Sequence, residues 1–239
     1  MARVNMVVSA YHAAEYIKRR LDNLMEQSEN PTVIVVCQDG SAEHKIAVDY
    51  PVSIINTEDV PTLPAAWNMG IKRSRGLYIS NANCDDLLKP GALEIMADLM
   101  DAIQAAVLFT DVDRCEPGKK PHTWKRIPDK DGWFEDAYKK LVNRCIVGPM
   151  PIWRRDLHKK YGYFDEELKY VADYDWWLRI AENNERYYYH GVSMGIYEAR
   201  AKSLEHASGD AGRIERREVQ RKHESWNKST KSLINKASK

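Results

Sequence analysis

Along the first 110 residues, short runs of strand formers alternate with stretches whose apolar positions recur at helical spacing. This alternation constrains the fold most, because strands separated by helices pair in parallel through right-handed crossovers. Val4-Asn5-Met6-Val7-Val8 opens the series. Ser9-Ala10-Tyr11-His12 turns the chain, and Ile17, Leu21, Leu24 and Met25 then mark one stripe of a helix. Lys18, Arg19 and Asp22 point away from that stripe. Val33-Ile34-Val35-Val36-Cys37 is apolar throughout, as a strand covered on both faces requires, and it stops at Gln38-Asp39-Gly40-Ser41. A third strand is expected at 52–55 and a helix from Ala65 to Arg73, ending near Gly76. A strand from Leu77 to Ala82, a helix from Pro90 to about Ala105 and a strand at 107–110 complete the pattern. The fold class is therefore α/β, with a mostly parallel, Rossmann-like central sheet flanked by helices. Neither G-x-x-x-x-G-K-[ST] nor G-x-G-x-x-G follows the first strand, which excludes the common nucleoside-triphosphate and dinucleotide loops.

The fourth of these strands ends abruptly in amides and carboxylates, Asn81-Ala82-Asn83-Cys84-Asp85-Asp86, before Pro90. Ligands of open α/β sheets bind beyond the carboxyl ends of the strands, so Asp85 and Asp86 are expected at the mouth of such a crevice. Hard oxygen donors there suit Mg²⁺ or Mn²⁺ bridging phosphates. Turn formation explains the same residues equally well. Asp111 and Asp113, also after a strand, form a rival metal site. From Asp111 to Gly132 the composition shifts to Pro, Gly, Lys and Asp, read as a long functional loop.

Farther on, a helix is expected at 134–143, an apolar, proline-broken segment at 145–153 and a short helix at 154–161. If Val171 to Ile180 is helical, Asp173, Trp176, Trp177 and Ile180 share one face, while Asp175 and Arg179 pair on another. Asp173 then stands at the helix start as a general base or as a plain N-cap. Strands are expected at 186–190 and 192–197, with His206 in a polar segment beyond. Residues 207–239 form a basic C-terminal helical tail whose apolar members are too sparse for a core, read as a frayed end or a contact for a partner or second copy. A formal net charge of +1 gives no global field for nucleic acid. No apolar run approaches the ~20 residues of a transmembrane segment, and no signal-peptide pattern opens the chain. Four scattered cysteines without paired spacing suggest a reduced, cytoplasmic setting.

In order, these motifs resemble the inverting family 2 glycosyltransferases with a GT-A fold, over about Val4 to His206. Val7 to His12 resembles that family's opening strand and turn, with His12 for the usual Asn. Gln27 stands where the family commonly has Gln. Gln38-Asp39-Gly40-Ser41 resembles Asp-Asp-Gly-Ser, and Ala65 to Gly70 resembles Ala-Ala-Arg-Asn-x-Gly with Trp67 replacing Arg. Asn83-Cys84-Asp85-Asp86 resembles Asp-x-Asp-Asp with Asn83 replacing the first Asp. Val171 to Ile180 resembles Glu-Asp-x-Asp-x-x-x-Arg, with Ala172 for Glu and Asp173 at the base position.

The resemblance implies a GT-A domain at 1–206, with a nucleotide-sugar-binding half at 1–110 and an acceptor-side half at 111–206. It implies metal-dependent, inverting transfer of a hexosyl group from a UDP- or dTDP-sugar to an acceptor hydroxyl on a glycan. Ala10, Tyr11, Asp39, Asn68, Asn83, Cys84 and Asp85 would bind the nucleotide sugar. Asp85 would hold Mn²⁺ or Mg²⁺, and Asp173 would be the catalytic base. Trp153 and Trp176 are expected to stack on the acceptor. With Trp67 in place of Arg, one phosphate contact that the resemblance implies is missing; Lys72, Arg73 and Arg75 are candidates to replace it, and the sequence alone does not decide among them. The Asn83 and Trp67 departures leave an alternative, a catalytically degenerate nucleotide- or glycan-binding module of the same fold.

Overall fold

The computed structural model describes residues 2–116, 118–125, 127–199 and 209–237, with side chains described as far as residue 224. Strands β1 (Val4–Ala10), β2 (Thr32–Gln38), β3 (Ser53–Thr57) and β4 (Tyr78–Asn81) are interleaved with helices α1 (Ile17–Met25), α2 (Ala42–Ala47) and α3 (Leu63–Arg73). The short β5 (Leu87–Leu88), α4 (Ala92–Ile103), β6 (Val107–Cys115), β7 (His122–Trp124) and β8 (Trp133–Phe134) follow. Then come α5 (Ala137–Leu141), β9 (Ile152–Arg154), α6 (Leu157–Tyr161), α7 (Ala172–Glu182), β10 (Tyr187–Glu198) and α8 (Gly209–Ala237).

One ten-stranded sheet runs in the order β3-β2-β1-β4-β9-β6-β10-β5, with β7 added to β6 and β8 to β10. β1 is parallel to β2 and β4, β2 to β3, and β6 to β10. β9 lies antiparallel between β4 and β6, so both of those strands keep the common direction. Six strands therefore end along one edge. Alternation along each strand divides the apolar side chains between two cores. Met6, Val8, Val33 and Val35 pack with Leu21 and Leu24 of α1 and Met96 of α4. Val7, Ile79 and Phe109 pack on the other face with Trp67 and Ile71 of α3 and Trp176 and Trp177 of α7. A Cβ on Gly70 would lie 2.3 Å from Val7 Cγ1, so glycine lets α3 sit directly on β1.

Several elements differ from expectation. The proline-broken segment contains β9, paired on both sides, with Pro151 just outside it, where a missing N–H is harmless. Ser41 caps the unforeseen α2 by accepting the His44 N–H at 3.1 Å. The two strands expected at 186–190 and 192–197 are one, β10, with register shifts between His190 and Gly195. The helix expected at 134–143 is confined to α5, and the segment after Asp111 begins as the β6–β7 hairpin rather than as a loop. The largest correction is α8, because Val219 and His223 are buried and the helix docks along α7. Two buried positions a turn apart suffice to seat it, and the surrounding charges cover its outer face. His206 lies outside the described residues.

Candidate active site

The carboxyl ends of β1, β2 and β3 lie side by side at one edge of the sheet. Ala10 is buried at the end of β1, paired in register with Cys37. The Tyr11 hydroxyl and Thr57 Oγ1 share a hydrogen bond of 2.9 Å, which fixes the ring beside the end of β3. Asp39 accepts from Asn56 Nδ2 at 3.1 Å and stands 3.4 Å from His44 Nδ1, yet its side chain remains 68% exposed. A flat ring beside an accessible carboxylate suits a planar heterocycle with an N–H donor.

Beyond β4, Asn83 Nδ2 donates to Asp86 Oδ2 at 3.1 Å, and Cys84 Sγ lies 3.5 Å from the Ser9 carbonyl. Cys84 and Asp86 are buried, whereas Asp85 is partly exposed. Burial, reinforced by Asp85, pushes the Asp86 carboxyl up to about 7. Arg20 is fully buried on α1; burial lowers its guanidinium to about 10, with the charge of Asp86 opposing. Arg19 reaches over this loop, donating to the Asp85 carbonyl at 3.2 Å and pairing with Glu198 at 2.7 Å. Sequence reading missed Arg19 and Glu198: one residue lies off the apolar stripe, and the other is 179 positions away. Gln27, just past α1, accepts from the Leu93 N–H at 3.2 Å and donates to the Lys89 carbonyl, anchoring the start of α4 beside the end of α1.

A short connection joins the end of α7 to the start of β10, so α7 runs antiparallel to the strands, with its first turn toward the carboxyl edge of the sheet and its last turn toward the amino edge. Asp173, in its first turn, is partly exposed, and its Oδ1 accepts the Tyr174 N–H at 2.8 Å. Asp175 is fully buried and pairs with Arg179 at 2.9 Å as expected, but also with Lys222 and His223, each at 3.0 Å. Although its burial acts the other way, these donors hold the Asp175 carboxyl well below the usual range.

Four expectations are corrected. Asn68 is buried, and its amide is consumed internally: Nδ2 donates to the Phe164 carbonyl (2.9 Å) and Glu166 (2.8 Å), while Oδ1 accepts the Phe164 N–H (3.0 Å). It tethers a loop rather than touching a nucleotide sugar. Trp153 and Trp176 are fully buried, with Trp153 donating to His158 Nε2 at 2.9 Å and Trp176 stacked on His158 at 4.4 Å between ring centres. No ring face is left for an acceptor. Lys72, Arg73 and Arg75 lie where α3 leads into the start of β4, at the opposite end of that strand from Asp85. Asp111 accepts from Tyr189 at 2.7 Å, and Asp113 pairs with Lys89 at 2.7 Å and accepts from Thr123 at 2.9 Å, so the rival acidic pair is bound internally.

Residues 6–162 match the model described as Glycosyl transferase family 2. The chain belongs to this family. A chondroitin synthase of Pasteurella multocida is 26% identical over 188 residues, 75% of this chain and 19% of that protein. S. aureus TarS 1–349, solved in complex with UDP-GlcNAc, superposes with a TM-score of 0.70 at 19% identity, over 85% of this chain and 60% of that one. The mannosyltransferase PcManGT from Pyrobaculum calidifontis, in complex with GDP-Man and Mn²⁺, gives a TM-score of 0.65 at 19% identity over 92% of this chain and 62% of that one. These likenesses establish the GT-A fold. The chain spans 62% of the length of two uncharacterised rickettsial glycosyltransferases that it also matches.

The stretch matched to glycosyl transferase family 2 contains Tyr11, Asp39 and Asp85 but ends before Asp173 and α8. No group of three or more His, Cys, Asp or Glu among the described residues is arranged to hold a metal. Asp86 is buried, and the Asn83 amide is turned to it. Asp85, one partly exposed carboxylate, fits an ion that takes its other ligands from a diphosphate and water, as Mg²⁺ and Mn²⁺ do. Among the described residues no helix is long and apolar enough to cross a membrane.

Proposed function

We propose that this chain is an inverting glycosyltransferase that moves a hexosyl group from a UDP- or dTDP-sugar to an acceptor hydroxyl on a glycan. One observation carries the reading: Tyr11, Asp39 and Asp85 follow the carboxyl ends of β1, β2 and β4, and the first turn of α7, bearing Asp173, belongs to the same edge. Tyr11 and Asp39 receive the base, Ala10 and Cys84 form the floor, and Asp85 faces the diphosphate, while Asn83 beside it is turned to Asp86. Mn²⁺ or Mg²⁺ held by Asp85 would neutralise charge on the departing diphosphate. Arg19, bonded to the Asp85 carbonyl and paired with Glu198, braces the loop that carries Asp85. Asp173 accepts the proton of the acceptor hydroxyl as its oxygen bonds to the anomeric carbon and the bond to the diphosphate breaks. A single in-line displacement inverts that centre. Trp124, 38% exposed on β7, replaces the two buried tryptophans as the aromatic surface for acceptor rings.

The donors in the TarS and PcManGT structures and the synthase activity in the chondroitin synthase name support the nucleotide-sugar and glycan assignments. The division into a donor half at 1–110 and an acceptor half at 111–206 belongs to this reading, as does a cytoplasmic setting, which four cysteines in the thiol form favour. A screen of UDP-, dTDP- and GDP-sugars with Mn²⁺ and a panel of glycan acceptors tests the proposal. Turnover that needs the ion and is lost in both Asp85→Ala and Asp173→Asn is expected. The buried Trp67 and the inward-turned Asn83 favour one second reading, a nucleotide-binding module without turnover. Calorimetric binding of a sugar nucleotide with no transfer or hydrolysis across the whole panel would select it.

A further inference from the structure

We infer that Glu215, on the C-terminal helix α8, is the positioning residue for Asp173. The inference rests on Asp173 being the base. Helix α7 begins without a side-chain cap, because its N-cap Val171 offers none. The carboxylate of Glu215, 44 to 46 residues away, instead holds the backbone that leads into the helix. It accepts the N–H groups of Lys169 (2.8 Å), Tyr170 (2.7 Å) and Val171 (3.0 Å). Charge-assisted bonds of this kind are about twice as strong as neutral ones, and a carboxylate at a helix N-terminus also meets the positive end of the dipole. The last residue so held is two positions before Asp173.

The remainder of the interface fixes Glu215 itself. Val219 is buried in the core that also contains Val171 and Tyr174. Gln220 Nε2 donates to the Val142 carbonyl at 2.8 Å and to the Tyr174 hydroxyl at 3.3 Å. His223 bridges Glu182 at 2.7 Å and Asp175 at 3.0 Å. At its other end, the loop entering α7 is tied to Asn68 of α3 through Phe164 and Glu166. The backbone carrying Asp173 is thus suspended between α3 and α8, with Glu215 as the nearer support. A displacement of 1 Å at a reacting group lowers the rate about 10²-fold.

The test compares Glu215→Ala, Glu215→Gln, Asp173→Asn and, as a control on the same helix, Glu218→Ala in the full chain. Hydrogen exchange is measured by residue, and kcat and KM with the donor and acceptor that turn over fastest in the screen above. Glu215→Ala should raise exchange at 169–175 at least about tenfold and lower kcat by about 10- to 100-fold, with the donor KM within about twofold. Glu215→Gln keeps one acceptor oxygen and should recover most of kcat. It also decides the matter if the alanine variant does not fold. Glu218→Ala should match the wild type. Unchanged exchange at 169–175 overturns the inference whatever the kinetics show. Raised exchange with unchanged kcat, while Asp173→Asn is inactive, overturns the positioning role and leaves the base assignment standing. A fully active Asp173→Asn overturns the base assignment and the inference together.

Discussion

The two carboxylates on which the proposed chemistry turns are held in opposite ways. Asp85 stands just past the end of β4, in a loop anchored by neighbouring strand ends and by α1, and its setting follows from the turn in which it lies. Asp173 stands at the start of a helix whose approach is tied down by Asn68, 96 to 98 residues earlier, and by Glu215, 44 to 46 residues later. The Asp85 turn follows directly from a strand of the sheet and is braced by α1. The Asp173 helix start is held through side chains of two other helices, so its geometry is open to disturbance from places that never touch a substrate.

The strongest way to break this division is to remove each carboxylate in turn. Asp85→Ala and Asp173→Asn should each lower turnover by about 10²- to 10⁴-fold, but for different reasons. In calorimetry with UDP and Mn²⁺, Asp85→Ala should weaken binding markedly, whereas Asp173→Asn should bind as the wild type does. Equal weakening of nucleotide binding by both variants would mean that the two halves do not act separately.

A smaller effect is expected at Asn68. Replacing it with alanine leaves the Phe164 N–H and carbonyl without their partner in a buried place, at about 1–3 kcal/mol of stability. Because the amide is spent on the loop, UDP binding should not change. Denaturant melts and calorimetry on the same sample check both statements, and a fivefold loss of UDP affinity would return Asn68 to the donor site.

What was legible in the sequence divides along the same line. The β1–β4 alternation, the turn at Asp39 and the amide- and carboxylate-rich end of β4 were readable because strand periodicity and turn chemistry act over a few residues. The Asp175–Arg179 pair was readable because four residues make one helical step. Trp153 and Trp176 were misassigned because an aromatic that stacks on sugar and one that packs on His158 look alike until burial is known. Asn68 looked like a ligand because its bonds to Phe164 and Glu166 are not encoded near it. The basic tail looked frayed because Val219 and His223, the residues that seat it, are few among many charges. Nothing local announces that Glu215 binds the backbone of Val171, 44 residues earlier, at the entry to a helix.

The mildest prediction sharpens the acceptor side through pH. His223 sits between Asp175 and Glu182, with Lys222 and Arg179 also on Asp175 and the Tyr138 hydroxyl on the His223 carbonyl. Burial alone would lower its pKa, but the two carboxylates outweigh burial and raise it. A histidine raised in the folded state contributes stability that is complete below its unfolded pKa of about 6.5 and is lost as pH climbs through the folded value. Asp175, held low, contributes above the ordinary carboxylate range and loses that only as the medium becomes strongly acidic, so it is constant between pH 5.5 and 8.5. Asp86, near 7, titrates in this interval, but it does so in wild type and variant alike and cancels in their difference. His223→Gln should therefore lower the melting temperature by more at pH 5.5 than at pH 8.5, the gap narrowing by a few degrees. An equal gap at both values would mean that α8 is held by packing and neutral hydrogen bonds rather than by a charged histidine.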